Sequence, residues 1–170
     1  EIFTGTFFFK KRLNCSYILC NANYKFKNTL YEPYEEIIYT KDEYGFRGRR
    51  KDVKEIDILV IGGSTTDERY LNLNDTWTEK LEQKINFNLD KNIEIVNAGI
   101  DGQSTVGNIW NFKNWFNRID KLNPSYTIIY LGINEQNLNK NKYDLQADGK
   151  SIRERLILFI KNNYGITYKA

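Results

Sequence analysis

The sequence predicts an α/β fold: a three-layer α/β/α sandwich around a parallel, flavodoxin-like sheet. Three runs, Ile56 to Ile61, Ile93 to Val96 and Tyr126 to Leu131, each read as a strand leading into a glycine-bearing turn, and the first, rich in β-branched residues, suits a strand buried on both faces of a parallel sheet. Between them lie two stretches with apolar residues at helical spacing. The connections are long enough for crossovers, so the order β-α-β-α-β-α calls for parallel strands with helices on the sheet faces.

Taken in order, residues 1–50 lack clear periodicity and are rich in Tyr, Phe, Asn and charge, so they read as an irregular N-terminal segment packing on the domain that residues 51–170 form. The first strand, "IDILVI", closes at Gly62-Gly63. In "NDTWTEKLEQKINFNL", Thr76 and Glu79 make a capping-box signature, and Trp77, Leu81, Ile85 and Leu89 recur every four residues as an amphipathic helix. After the strand "IEIV" and the turn "NAGIDGQST", the residues Val106, Ile109, Phe112, Phe116 and Ile119 follow at helical spacing, and Pro124 closes that region. The third strand ends at Gly132. Ile152, Leu156, Phe159 and Ile160 predict one more helix, and "GITYKA" the start of a further strand. Trp77, Trp110 and Trp115 fall within apolar helical repeats and are expected to pack on the helix faces.

A chain of 170 residues suits one ordinary domain, and 41% apolar with 28% charged residues is a soluble globular composition. The net charge of +3 is small, and Arg47, Arg49, Arg50 and Lys51 are offset by Asp42, Glu43, Asp52 and Glu55, which argues against a nucleic-acid partner. No apolar run reaches the ~18–20 residues needed to span a bilayer. The opening "EIFTGTFFFKKR", apolar and then basic, fits the remnant of an anchor or signal segment upstream of residue 1 and equally a packed N-terminal arm. Cys15 and Cys20 are expected as two unpaired buried thiols, with a local disulfide as the alternative; without histidine or further cysteine no zinc site is expected. The sequence contains no histidine at all, which any serine-hydrolase reading has to meet, since imidazole is the usual general base.

Ligands of open α/β sheets bind beyond the carboxyl ends of the strands. Three stretches occupy that edge: Gly62 to Asp67, Asn97 to Thr105, and Gly132 to Gln136. A P-loop fails for want of lysine, a dinucleotide fingerprint for want of G-x-G-x-x-G, and a G-x-S-x-G elbow because Thr66 replaces its second glycine. No cofactor is expected.

"IGGST", "NAGIDGQ" and "LGINE", in this order after three successive strands, resemble the first three blocks of the SGNH hydrolases, the GDSL-type esterases and acylhydrolases. The resemblance spans about residues 44 to 137, beginning at "YGFRG". It implies that Ser64 is the nucleophile and that the backbone N–H groups of Ser64 and Gly102, with the Asn134 amide, form an oxyanion hole. Each such donor is worth about 2.7–4 kcal/mol in the transition state. Gly-Gly-Ser stands here for the family's Gly-Asp-Ser, and Gly-Ile-Asn-Glu for its Gly-x-Asn-Asp. The family's final Asp-x-x-His block is absent, which predicts an N-terminal portion of a longer hydrolase, incomplete at the C-terminus and inactive by itself. Asp67, Glu68 and Glu135 are poor substitutes for the base, because a carboxylate titrates near pH ~4.

The expected substrate is a small-molecule or carbohydrate ester. The alternatives are a polysaccharide O-acetyltransferase with the same site, or an inactive carbohydrate-binding or scaffold domain. The family resemblance and the apolar start together imply a cell-envelope or other extracytoplasmic location, with the cytoplasm as the alternative.

Overall fold

The computed structural model describes residues 18–29 and 36–135. The helix and strand expected between residues 152 and 170 lie outside them.

Two β-strands precede the α/β unit. Strand β1 (Ala22–Lys27) pairs antiparallel with β2 (Glu36–Lys41). The segment expected to be irregular therefore holds a hairpin of its own. Alternation explains it: Ile37, Tyr39 and Lys41 of β2 point inward while Glu36 and Ile38 face out. Cys20 is disulfide-bonded, which overturns the expectation of unpaired thiols.

The central sheet is parallel. Strand β3 (Ile58–Gly62) lies between β4 (Ile95–Asn97) and β5 (Tyr126–Tyr130), so the three strands stand in the order second, first, third. This is an α/β fold with the leading strand order of a flavodoxin-like sheet. Every residue of β3 is buried, and its side chains split by period two. Leu59 and Ile61 join Phe46, Val96, Trp115 and Phe116 on one face, whereas Ile58 and Val60 join Ile95 on the other, under Trp77, Leu81 and Ile85. Those two cores define the layers.

Helix α1 (Ser64–Asp67) is a single turn directly after β3. Helix α2 (Trp77–Leu89) starts at Thr76, whose hydroxyl accepts from the Glu79 N–H. The reciprocal half of the capping box is not made: the Glu79 carboxylate pairs with Arg50. Leu89, the last residue of the helix, also departs from the expected buried face and is exposed. Helix α3 (Thr105–Asn114), capped by the Ser104 hydroxyl on the Val106 N–H, has the predicted period but a different buried face. Val106, Ile109 and Phe112 are 38%, 50% and 40% exposed, while Gly107, Asn108, Trp110 and Asn111 face inward. Trp110 and Trp115 are buried, and the Trp115 indole donates to the Tyr44 carbonyl.

Among the described residues strand β5 pairs on one side only, with β3, and its Tyr126, Ile129 and Tyr130 are exposed. No helix among the described residues is long and apolar enough to cross a membrane.

Candidate active site

The three glycine-bearing loops follow β3, β4 and β5 and lie at one edge of the sheet. Their contact is close. A Cβ on Gly63 would stand 2.8 Å from Asn134 Nδ2 and 3.0 Å from the Gln103 carbonyl oxygen, and one on Gly99 would stand 2.4 Å from the Asp67 N. Glycine is required at Gly99, where the opposing atoms are main chain, whereas at Gly63 a side chain would have to displace the end of Asn134 and crowd the Gln103 carbonyl. Gly102 has φ +77, the left-handed region that favours glycine, and turns the second loop back toward the first.

Of the three residues singled out, Ser64 is exposed at the first position of α1, Gly102 lies in the loop beyond β4, and Asn134 lies in the turn beyond β5. The Asn134 amide donates to the Gln103 carbonyl at 2.8 Å, next to Gly102 in sequence, and abuts Gly63, next to Ser64. An NH2 group has two protons, so this bond leaves one N–H of Asn134 for a ligand. Gln103 is itself fixed: its side chain exchanges hydrogen bonds with Asn111 of α3, and both residues are almost fully buried. A cavity of about 130 Å³ opens here, lined by residues of all three loops, among them Gly63, Gln103, Asn134 and Tyr130.

Behind the serine sits a buried polar group that the sequence did not disclose. Asp67, at the end of α1, accepts from the Tyr39 hydroxyl at 2.7 Å and faces Lys41 Nζ at 3.2 Å. Lys41 also donates to the Gly99 carbonyl at 2.7 Å, tying the first loop to the second. Arg47 donates to the carbonyls of Asp67, Glu68 and Leu71, holding the chain that leaves α1. Asn97 reaches the Thr66 carbonyl and accepts from the Gly99 N–H, a third tie. Burial, reinforced by the adjacent Asp67, pushes the Tyr39 hydroxyl far above its usual range, so it remains a donor. A signal was available in "GFRG", whose arginine lies between glycines, but nothing in the spacing says what it binds.

Each carboxylate near the serine is committed to a structural partner. Asp67 is held by Tyr39 and Lys41; Glu68 accepts from the Trp77 N–H at 2.8 Å; Glu135 accepts from the Thr105 N–H and hydroxyl at 2.7 and 2.5 Å. Burial raises Glu68, whereas the Thr105 hydroxyl holds Glu135 below the usual carboxylate range. The Trp77 indole donates to the Thr65 carbonyl at 2.9 Å and meets Tyr130 edge-on, so it packs beside the serine turn. Among the described residues no group of three or more His, Cys, Asp or Glu is placed to hold a metal ion.

No family model and no curated protein matches the chain. Two solved structures, both mutants of the esterase AlinE4, are similar to it at 24% and 23% identity, each with a TM-score of 0.42. Each match covers 51% of this chain and 43% of the other, so the chain spans less than half the length of those esterase chains.

Proposed function

We propose that the chain carries the nucleophile and oxyanion hole of an SGNH-type ester hydrolase. Ser64 Oγ attacks the acyl carbon of an ester, the alcohol leaves, and water releases the acyl group from the serine. Ser64 N–H, Gly102 N–H and the second Asn134 N–H are the donors to the oxyanion. The single observation that carries this reading is the junction of Gly63, Gln103 and Asn134: residues adjacent to or within the three predicted positions meet at one point. Phosphate chemistry has no comparable support, since the loops bring no lysine or arginine side chain to that junction.

The 170 residues contain no histidine, and the three nearby carboxylates have other partners. On this reading the proton of Ser64 needs a base that these residues do not supply. Losing such a base costs several orders of magnitude in rate, so this chain by itself is a poor catalyst. The same lack favours a second reading, a carbohydrate-binding domain without turnover. An extracytoplasmic site of action is part of the proposal, supported by the bonded Cys20, because disulfides persist in oxidising compartments.

The test is covalent labelling by a fluorophosphonate of the protein expressed from its complete reading frame. Label on Ser64 that disappears in Ser64→Ala supports the hydrolase; absence of label leaves the non-catalytic reading. Product analysis with a sugar acceptor then separates hydrolysis from acyl transfer.

A further inference from the structure

We propose that Glu135 is a positioning residue that latches the third loop onto the second and thereby sets the direction of the Asn134 amide. The proposal rests on the reading of Asn134 as an oxyanion donor. Asn134 and Glu135 are consecutive and bind the second loop and the start of α3 at points two residues apart: Asn134 to the Gln103 carbonyl, Glu135 to the N–H and hydroxyl of Thr105. A side-chain amide held only at its own hydrogen bond would swing about its χ angles. With its neighbour anchored in the same direction, the backbone of the turn is fixed as well, and the free N–H points one way.

The chemistry of the latch is specific. Thr105 is the first residue of α3, and its N–H is one of the helix donors without an intrahelical partner. A carboxylate at that end is favoured by the helix dipole as well as by the two hydrogen bonds. Only Oε1 takes part; Oε2 has no hydrogen-bond partner among the described residues. A glutamine keeps an oxygen at the same reach, whereas an aspartate is one methylene short. Glu135 is thus occupied in holding Asn134 and is no stand-in for the missing base.

The experiment is heteronuclear NMR of the Asn134 side-chain amide, with Trp115 indole as the reporter of the fold. In Glu135→Ala and Glu135→Asp the two Asn134 amide protons should shift toward free-amide values and exchange about tenfold faster, as loss of one charged hydrogen bond implies. In Glu135→Gln both should stay near the parent, and Thr105→Val, which keeps the N–H bond and loses the hydroxyl bond, should fall between the parent and Glu135→Ala. Unchanged Asn134 signals in a folded Glu135→Ala protein overturn the latch. Should that variant unfold, the Gln and Asp pair decides: equal effects of the two in folded proteins overturn it. The fluorophosphonate result is independent, so failure of the hydrolase reading leaves the NMR outcome interpretable.

Discussion

Replacing Gly99 by alanine should force the serine turn and the second loop apart. The new Cβ would lie 2.4 Å from the Asp67 N, 2.8 Å from the Thr66 carbonyl carbon and 2.9 Å from the Asp67 Cα, all main-chain atoms. Ordinary contact begins near 3.4 Å and the nearest main-chain atom stands at 2.4 Å, so the two segments must separate by about 1 Å to regain it. No rotamer change relieves this, because the opposing group is the backbone of α1. Overpacking of this kind costs about 1–3 kcal/mol. The bonds from Lys41 to the Gly99 carbonyl and from Asn97 to the Thr66 carbonyl span the same gap, and weakening them adds about 1 kcal/mol each. A total of about 3–5 kcal/mol corresponds to a fall in Tm of roughly 6–20 °C for a chain of this size. Thermal unfolding followed by near-UV circular dichroism reads it, since Trp115 and Phe46 stack in the core. A Gly99→Ala protein melting within ~2 °C of its parent would refute the packing of the three loops.

Gly63→Ala should behave differently, because its new Cβ meets the end of the Asn134 side chain; Tm should fall less than in Gly99→Ala while fluorophosphonate labelling is lost, as parallel melts and labelling would show. Lys41→Met should destabilise by about 3–5 kcal/mol in denaturant titration, because it leaves the Asp67 carboxylate buried without its cation, and adding Asp67→Asn should recover part of the loss. Glu135 has a folded pKa below its unfolded value of about 4.3, so it contributes stability above that pH which is lost as pH falls through the lowered value. Glu135→Gln should therefore flatten the acid arm of a stability-against-pH curve, and an unchanged arm would count against the assignment. Thr76→Ala, which removes the cap of α2, should cost about 1 kcal/mol in the same titration.

The three strands of the parallel sheet and both long helices were legible because their signals are local: apolar runs ending at glycine, a Thr76 cap and 3.6-residue periods. Which face of α3 is buried was not. Periodicity counts apolar side chains, but Asn108 and Asn111 turn inward to satisfy the Ser104 carbonyl and the Gln103 amide, and the apolar Val106, Ile109 and Phe112 are left outside. The same reason hid Glu82, buried in α2 where its carboxylate accepts from the Ile95 N–H and pairs with Arg50. At the site, the strand-end glycines and Ser64, Gly102 and Asn134 could be picked out, since a turn and a backbone approach demand small residues. Lys41, Tyr39 and Arg47 could not: Tyr39 and Lys41 come from β2 and Arg47 from the stretch after it, and only the folded chain brings them behind the serine.

The most direct measurement of the proposed site is mass-spectrometric mapping of the fluorophosphonate adduct on the protein from its complete reading frame. The account predicts one adduct on Ser64, its absence in Ser64→Ala without loss of stability, since that side chain is exposed, and a markedly slower reaction in Asn134→Ala. An adduct on another residue, or none on a folded protein, would contradict it.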